Sequence, residues 1–522
     1  MNHRNISLTF LVALLTTMNA QNQQAQPRLV VSITIDQLRS DYLEAFTPLY
    51  GTDGFRKLME KGLVCTNASY PFSPIDRASA IASLSTGTTP YYNSIVGKRW
   101  LNRETLRPVY CVEDATQTGY LTDDRTSPAN LCVSTIGDEL KIATQGKAIV
   151  YAIAPFSDEA ILSAGHAADG AAWIDDNTGR WCSSGYYKRN SSSWLRAVSS
   201  IMSPASMVDD IVWDAVNQLS GNFSFFMSGG MQKPFKHKFT GDSKFTSYKT
   251  SALINEHITD ISLRCINGTG MGIDNFADLL CVTYYAGNFE NKPATECQME
   301  IQDTYVRLDR EIARLIAEVE QTVGNGRTLY IITSTGYCNE DCKDYSAYRV
   351  PGGTFSITRA ANLLNMYMGA IWGQGSYVET CFGSQIYLNH KLLEQRRISI
   401  TDATQRAQEL VSQLSGVRSV YTALQLQTNV QEQTYKVRNG FHPERNGDIV
   451  IEVAPGWTLH NEDTQEKQIS RLSYIPFPIF IYGCGITESR LSTPVSVTQI
   501  APTIAKSIRI RAPNACIAEP LF

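Results

Sequence analysis

Charge is sparse and evenly balanced in this chain. Only 18% of its 522 residues are Asp, Glu, Lys or Arg, and the formal net charge is -4. No half is strongly basic, which excludes a general nucleic-acid binder. Histidine is scarce, at seven residues. Beyond the N-terminus no apolar run approaches the roughly 20 residues needed to cross a bilayer. No internal repeat is evident, which excludes solenoid and propeller architectures. With 43% hydrophobic content the chain is nonetheless of ordinary globular composition. Its length suffices for one large core or two domains.

The N-terminus reads as a secretory signal over residues 1–20. His3 and Arg4 form a weakly basic start, Leu8 to Leu15 the apolar centre, and Ala20 a cleavage position. Residues 21–27 form a Gln-rich polar lead-in, and no Cys follows the cleavage position, so no lipid anchor is indicated. The expected location is the periplasm, the outer membrane or the outside of the cell. Twelve cysteines in an exported chain predict several disulfides. The spacing Cys338-x-x-x-Cys342 lacks a second Cys or His pair nearby, so it reads as disulfide halves rather than a zinc site.

The chain is organised around Leu29 to Tyr42. The apolar, β-branched run Leu29 to Ile35 reads as a buried strand of a parallel sheet, and it ends in an acid, Asp36. Asp36 either caps the following turn or marks a site, because open α/β sheets bind ligands past their strand ends. Gly54 to Gly62 reads as a short amphipathic helix, and Ser79 to Ser85 can open another. Ala148 to Ala154, Leu279 to Tyr285, Thr328 to Thr333 and Phe477 to Tyr482 read as strands. Met207 to Leu219, Gln302 to Val323 and Val497 to Ser507 have helical spacing. Alternating helices and strands predict a parallel sheet with crossover helices. Polar stretches at about 100–127, 175–249 and 344–465 read as cap insertions. Lys233, Lys236, Lys238, Lys244 and Lys249, with interleaved Phe235, Phe239 and Phe245, read as a solvated cap or a partner surface rather than a nucleic-acid platform.

The segment Ile35-Asp-Gln-Leu-Arg-Ser-Asp-Tyr42 resembles the first metal-binding strand of the alkaline phosphatase superfamily. Within it, the chain is similar to secreted phosphate-irrepressible alkaline phosphatases and to type I phosphodiesterases and nucleotide pyrophosphatases. Val133 to Leu140, Ala160 to Asp169, Asp303 to Asp309 and Val497 to Lys506 add to the likeness, which runs from about Arg28 to the C-terminus. The resemblance implies an α/β/α sandwich over residues 28–522 with a mostly parallel sheet and cap insertions. It also implies two zinc ions held by about six Asp and His side chains, and a Thr or Ser nucleophile.

Carried onto this chain, most of those positions hold other residues. Asp36 stands at a zinc-ligand position. Arg77 occupies the nucleophile position, and a guanidinium has no lone pair to attack with. Lys98 stands where the family has a phosphate-binding Asn, and Asn93 where it has a His. Phe156 and Asp158 replace a Lys-x-Arg phosphate clamp. Asn288 and Lys292 stand at one Asp/His metal pair, Thr335 and Gly336 at the next, and Pro476 at the last His. His166 falls in a matched segment and reads as a packed, hydrogen-bonded residue. No metal or other cofactor is therefore expected. Arg77 is expected to pair with Asp36 in place of zinc, with Lys98 and Lys292 converging on the same pocket, which could hold an anionic ligand or an envelope partner. The expected function is that of a degenerate pseudo-phosphatase acting as a binding or scaffold component of the envelope. The alternatives are an active zinc-dependent phosphomonoesterase or phosphodiesterase, and a structural subunit of an envelope or secretion assembly.

Overall fold

The computed structural model describes residues 26–187, 193–216, 235–338, 349, 351–428, 431–462, 467–468 and 475–522. The proposed signal segment and Cys342 lie outside them.

Eleven strands build the main sheet. In chain order they are β1 Leu29–Asp36, β2 Leu63–Ser69, β3 Gly119–Tyr120, β4 Val150–Ile153, β5 Gly170–Ile174, β6 Trp181–Ser184, β7 Asp278–Tyr285, β8 Thr328–Ser334, β9 Phe477–Gly483, β10 Ser489–Leu491 and β11 Val495–Ser496. The spatial order is β10-β2-β9-β8-β1-β7-β4-β5-β6-β3, with β11 also on β2. β1 is central, with parallel partners β7 and β8 on its two sides. β4 and β5 extend the parallel run, and antiparallel strands β9 and β6 close it on either flank.

Eight helices matter here: α1 Phe55–Lys61, α2 Arg77–Thr86, α3 Ile136–Ala143, α4 Ser157–Ala164, α5 Leu253–Thr269, α6 Gln298–Val323, α7 Ile357–Trp372 and α8 Ile500–Ser507. Successive strand side chains point to opposite faces. Leu29, Val31, Ile33 and Ile35 accordingly pack with α1, α5 and α6 in one core. Val30 packs in a second core with α2, α3, α4 and α8. The result is the expected α/β/α sandwich, mixed at its margins.

The strand expectations hold within two residues, the largest difference being Val150–Ile153 against an expected start at Ala148. α6 starts earlier than its pattern predicts, because Met299 and Ile301 are also buried. The terminal helix opens with a 3-10 turn, Val497–Gln499, capped by Ser496. Met207 to Leu219 is a correction. Its described part holds turns and a strand, Val212–Asp214, paired with Lys236–Lys238. Trp213 is drawn in instead, donating to Asp303 and packing against Phe235 and Phe289.

The polar stretches are more structured than their composition implies. Residues 100–127 complete the hairpin Arg99–Asn102 with Arg107–Tyr110 and supply β3 to the sheet edge. The stretch that begins at residue 175 contributes β6. Within 344–465, a four-stranded sheet and α7 enclose a separate core around Leu364, Ile386 and Val411. Arg103 ties that unit to the hairpin, donating to both oxygens of Asp448 at 3.1 and 3.0 Å.

The disulfide expectation fails for most of the cysteines. Cys65, Cys111, Cys132, Cys182, Cys265, Cys281, Cys297 and Cys516 carry free thiols. Six of these eight sit inside the two cores as small apolar side chains. Among the described residues, no helix is long and apolar enough to cross a membrane.

Candidate functional site

β1 delivers Asp36 to the end of the central strand, 1% exposed. The chain then turns sharply at Gln37, whose φ of 63° lies in the left-handed region. Thr335, just past the neighbouring strand β8, clips both residues. Its hydroxyl donates to Asp36 Oδ1 at 2.8 Å and accepts from the Gln37 N–H at 2.9 Å. Asp36 Oδ2 is buried and has no hydrogen-bond partner among the described residues. Burial pushes the Asp36 carboxyl above its ordinary value, against the pull of Arg77 and Thr335.

The second component is the start of α2. Asp76 caps it, accepting from the Ser79 N–H at 2.9 Å, while its other oxygen accepts from the Lys98 N–H at 2.6 Å. Arg77, the first helical residue, grips Asp158 through Nε and Nη2 at 3.0 and 2.9 Å. It lies 3.5 Å from Glu159. Both acids belong to the first turn of α4, where the positive end of the helix favours a carboxylate.

The three buried acids titrate differently. Burial would raise Asp158, but Arg77, Lys98 and the Tyr110 hydroxyl more than offset it and hold it below the usual value. Burial wins at Glu159, which is pushed up to about 8 despite Arg77, with Asp36 and Asp158 adding to the rise. The expected Arg77–Asp36 pair is therefore not formed. A bidentate fork fits a carboxylate presented side-on, and Asp158 takes that position.

Asp36, Arg77, Lys98 and Phe156 line one cavity of about 200 Å³. The remaining predicted positions do not. Asp158 lies behind Arg77, and Thr335 braces Asp36 from the side. Gly336 donates its N–H to Ser334 Oγ at 3.1 Å. Asn288 is buried and donates to the Lys292 carbonyl at 2.9 Å. Lys292 fails to converge. It pairs with Glu290 at 2.7 Å on the surface. Pro476 is exposed, its carbonyl accepting from the Ser40 N–H. Gln37, Asp76, Thr246, Thr250, Tyr285, Asn291 and Tyr337 complete the cavity wall and were not singled out from sequence. The Asp-x-x-Ser capping pattern of Asp76 was the one signal available.

Asn93 binds its own loop, accepting from the Ile95 N–H at 2.9 Å. His166 is hydrogen-bonded on both ring nitrogens, to Asp138 and to the Leu131 carbonyl, each at 3.0 Å. Lys249 corrects the reading of a solvated lysine stripe. Its side chain is 1% exposed and pairs with Asp176.

The residues present do not fit a two-zinc centre. Asp36 offers one free oxygen, and the charged groups facing it across the cavity include Arg77 and Lys98. Among the described residues no group of three or more His, Cys, Asp or Glu side chains is placed to hold a metal ion. Zinc requires about four such donors or water in a tetrahedral set.

An α/β/α sandwich with an acid at the end of its central strand, beside the N-terminus of a capped helix, accords with the alkaline phosphatase superfamily. The chain belongs to the type I phosphodiesterase / nucleotide pyrophosphatase family, whose profile matches residues 30–473. It is 25% identical to alkaline phosphatase PafA of Elizabethkingia meningoseptica, over 96% of this chain and 95% of that protein. It is 25% identical to alkaline phosphatase PhoV of Synechococcus elongatus, over 98% of each chain. The crystal structure of wild-type PafA superposes with a TM-score of 0.82 at 24% identity, covering 96% of this chain and 99% of PafA.

Proposed function

We propose that this protein is a phosphatase-family member that has exchanged two-metal phosphoryl transfer for binding, and that it serves as a binding or scaffold component of the cell envelope. The observation that carries this reading is Arg77. By the resemblance it takes the nucleophile's position, and in the structure it is engaged by two buried acids, Asp158 and Glu159. Removing it from them would strand a buried charge, so it is a fixed part of the core. Among the described residues Lys98 forms no ion pair where it lines the cavity, its ammonium lying 6.0 Å from the centroid of the Tyr110 ring. That leaves a cation available to an anionic ligand.

The test is metal content together with turnover. Protein dialysed against zinc and then against buffer is expected to retain far less than one zinc per chain. It is expected to hydrolyse neither p-nitrophenyl phosphate nor bis-p-nitrophenyl phosphate above background. Two tightly held zinc ions with zinc-dependent turnover overturn the proposal.

A second reading, an active metal-dependent phosphomonoesterase or phosphodiesterase, draws support from the names of PafA and PhoV and from the unpartnered oxygen of Asp36. In that case Asp36 is the first ligand, and the same experiment returns the opposite result.

A further inference from the structure

A larger cavity, of about 510 Å³, adjoins the first. This volume is typical of small-molecule sites. Its wall is polar and balanced in charge. Asp123, Asp124 and Asp176 line it together with Arg99, Arg125 and Lys249, and none of the six lines the first cavity. The signs are interleaved rather than parted. Asp123, Asp124 and Arg125 are consecutive, and Asp176 pairs with Lys249 at 2.7 Å. An ion placed among them meets like and unlike charges together, so its Coulomb energies largely cancel.

Two further groups point to an occupant. Trp173 and Thr126 line the wall at 1% and 3% exposure. Trp173 Nε1 and Thr126 Oγ1 are both buried without a hydrogen-bond partner among the described residues. An indole N–H and the basic side chains can only donate, whereas ionised carboxylates can only accept. A ligand that satisfies such a wall must donate and accept over its whole surface, and a hydroxyl group does both. A planar base fits less well, because it needs an open aromatic face to stack on. Phe156 already carries the Arg77 guanidinium at 3.9 Å and the Lys249 ammonium at 4.7 Å from its ring centroid, and Trp173 is buried.

We propose that this second cavity binds a neutral, polyhydroxylated ligand, a sugar, held by the Trp173 indole N–H, the Thr126 hydroxyl and the mixed charges of Asp123, Asp124 and Arg125. The ligand carries no phosphate and asks nothing of the strand-end cavity. The inference therefore holds whether or not the first centre turns over substrate.

The test is calorimetric titration of the purified full chain with glucose, galactose and mannose, followed by Trp emission. At least one is expected to bind with a Kd of about 1 mM or tighter. The amino sugar and the uronic acid of that hexose, which add one charge of either sign, are each expected to bind roughly tenfold more weakly. Thr126→Val keeps the side-chain shape and removes the unmet hydroxyl. It is expected to weaken sugar binding roughly fivefold while raising the urea midpoint of the free protein, so the loss is not one of folding. Trp173→Phe is expected to weaken binding by a similar factor and to abolish the emission change. Asp124→Ala, at an exposed position outside the core, is expected to weaken binding too. The methyl glycoside separates the sources. Its equal binding assigns the end of a glycan, and its failure to bind assigns a free sugar. Absence of binding by all three hexoses overturns the proposal, as does a charged analogue that binds as tightly or an affinity unchanged by Thr126→Val. None of these outcomes alters the zinc result, so the two proposals fail separately.

Discussion

The guanidinium carbon of Arg77 stands 3.9 Å from the centroid of the Phe156 ring, and the same side chain grips Asp158 two residues further on. One short segment, Phe156 to Glu159, thus supplies an aromatic face and two acids to a single cation. Phe156 and Asp158 are the positions at which the resemblance leads one to expect a cationic phosphate clamp. The resemblance thus implies two positive charges fewer there and one more at Arg77.

Arg77→Ala leaves Asp158 and Glu159 buried without their cation. A loss of roughly 3–5 kcal/mol in unfolding free energy is expected, as for other broken buried pairs. Urea titration measures it. A loss below about 1 kcal/mol would mean that the ion pair is not what holds α2 against α4.

Glu159 makes stability depend on pH in an unusual direction. Its folded value of about 8 lies above the ordinary 4.5. Between the two, the folded chain keeps a proton that the unfolded chain releases, so stability falls as pH rises through that window. Asp36, also raised, acts in the same sense. Asp158 is lowered, so its contribution is lost only as pH falls below the ordinary 3.8. Glu159→Gln keeps an acceptor for the Phe156 N–H and cannot ionise. It is expected to flatten the fall in urea midpoint between about pH 5 and pH 8. An unchanged slope would refute the assignment.

Arg103 and Asp448 join the hairpin to the unit at 344–465. Asp448 also accepts from His390 Nε2 at 2.9 Å and from the Leu388 N–H at 2.8 Å. Arg103→Ala is expected to cost roughly 1–3 kcal/mol, the usual range for a charge-assisted bond to a buried partner. Limited proteolysis should show faster cleavage within 344–465. Identical digestion of variant and parent would show that the contact does not restrain the unit.

The thiols give a chemical readout. Burial pushes Cys65 up to about 11 and Cys281 and Cys297 up to about 12, which suppresses their reactive thiolates. Cys132 is exposed. Among these four, a thiol reagent at neutral pH is expected to modify Cys132 alone in the native protein and all four after denaturation. Rapid native modification of Cys281 would contradict its burial.

Local pattern carried much of the fold. β1 was legible as an unbroken apolar run and α6 by its periodic apolar face, signals that need no neighbour to define them. The unit at 344–465 was not, because its sheet pairs Gln385 with Val450 across a long stretch of chain, and α7 lies among polar neighbours. In the site, Asp36 announced itself by ending an apolar run. Its brace, Thr335, is 299 residues away. The resemblance put Arg77 in the nucleophile's position and beside Asp36; the structure has it line the same cavity as Asp36 and gives it Asp158 as its partner. Proximity to Asp36 was inferable from the family, whereas the bidentate match to Asp158 is a matter of side-chain angle that no spacing rule contains.

The hairpin Arg99–Tyr110 has one end in each half of the molecule. At its tip Arg103 is fastened to Asp448, and at its base the Tyr110 hydroxyl donates to Asp158 at 2.9 Å. One short element therefore carries a chain of polar contacts from the outer unit to the acid that holds Arg77 in place.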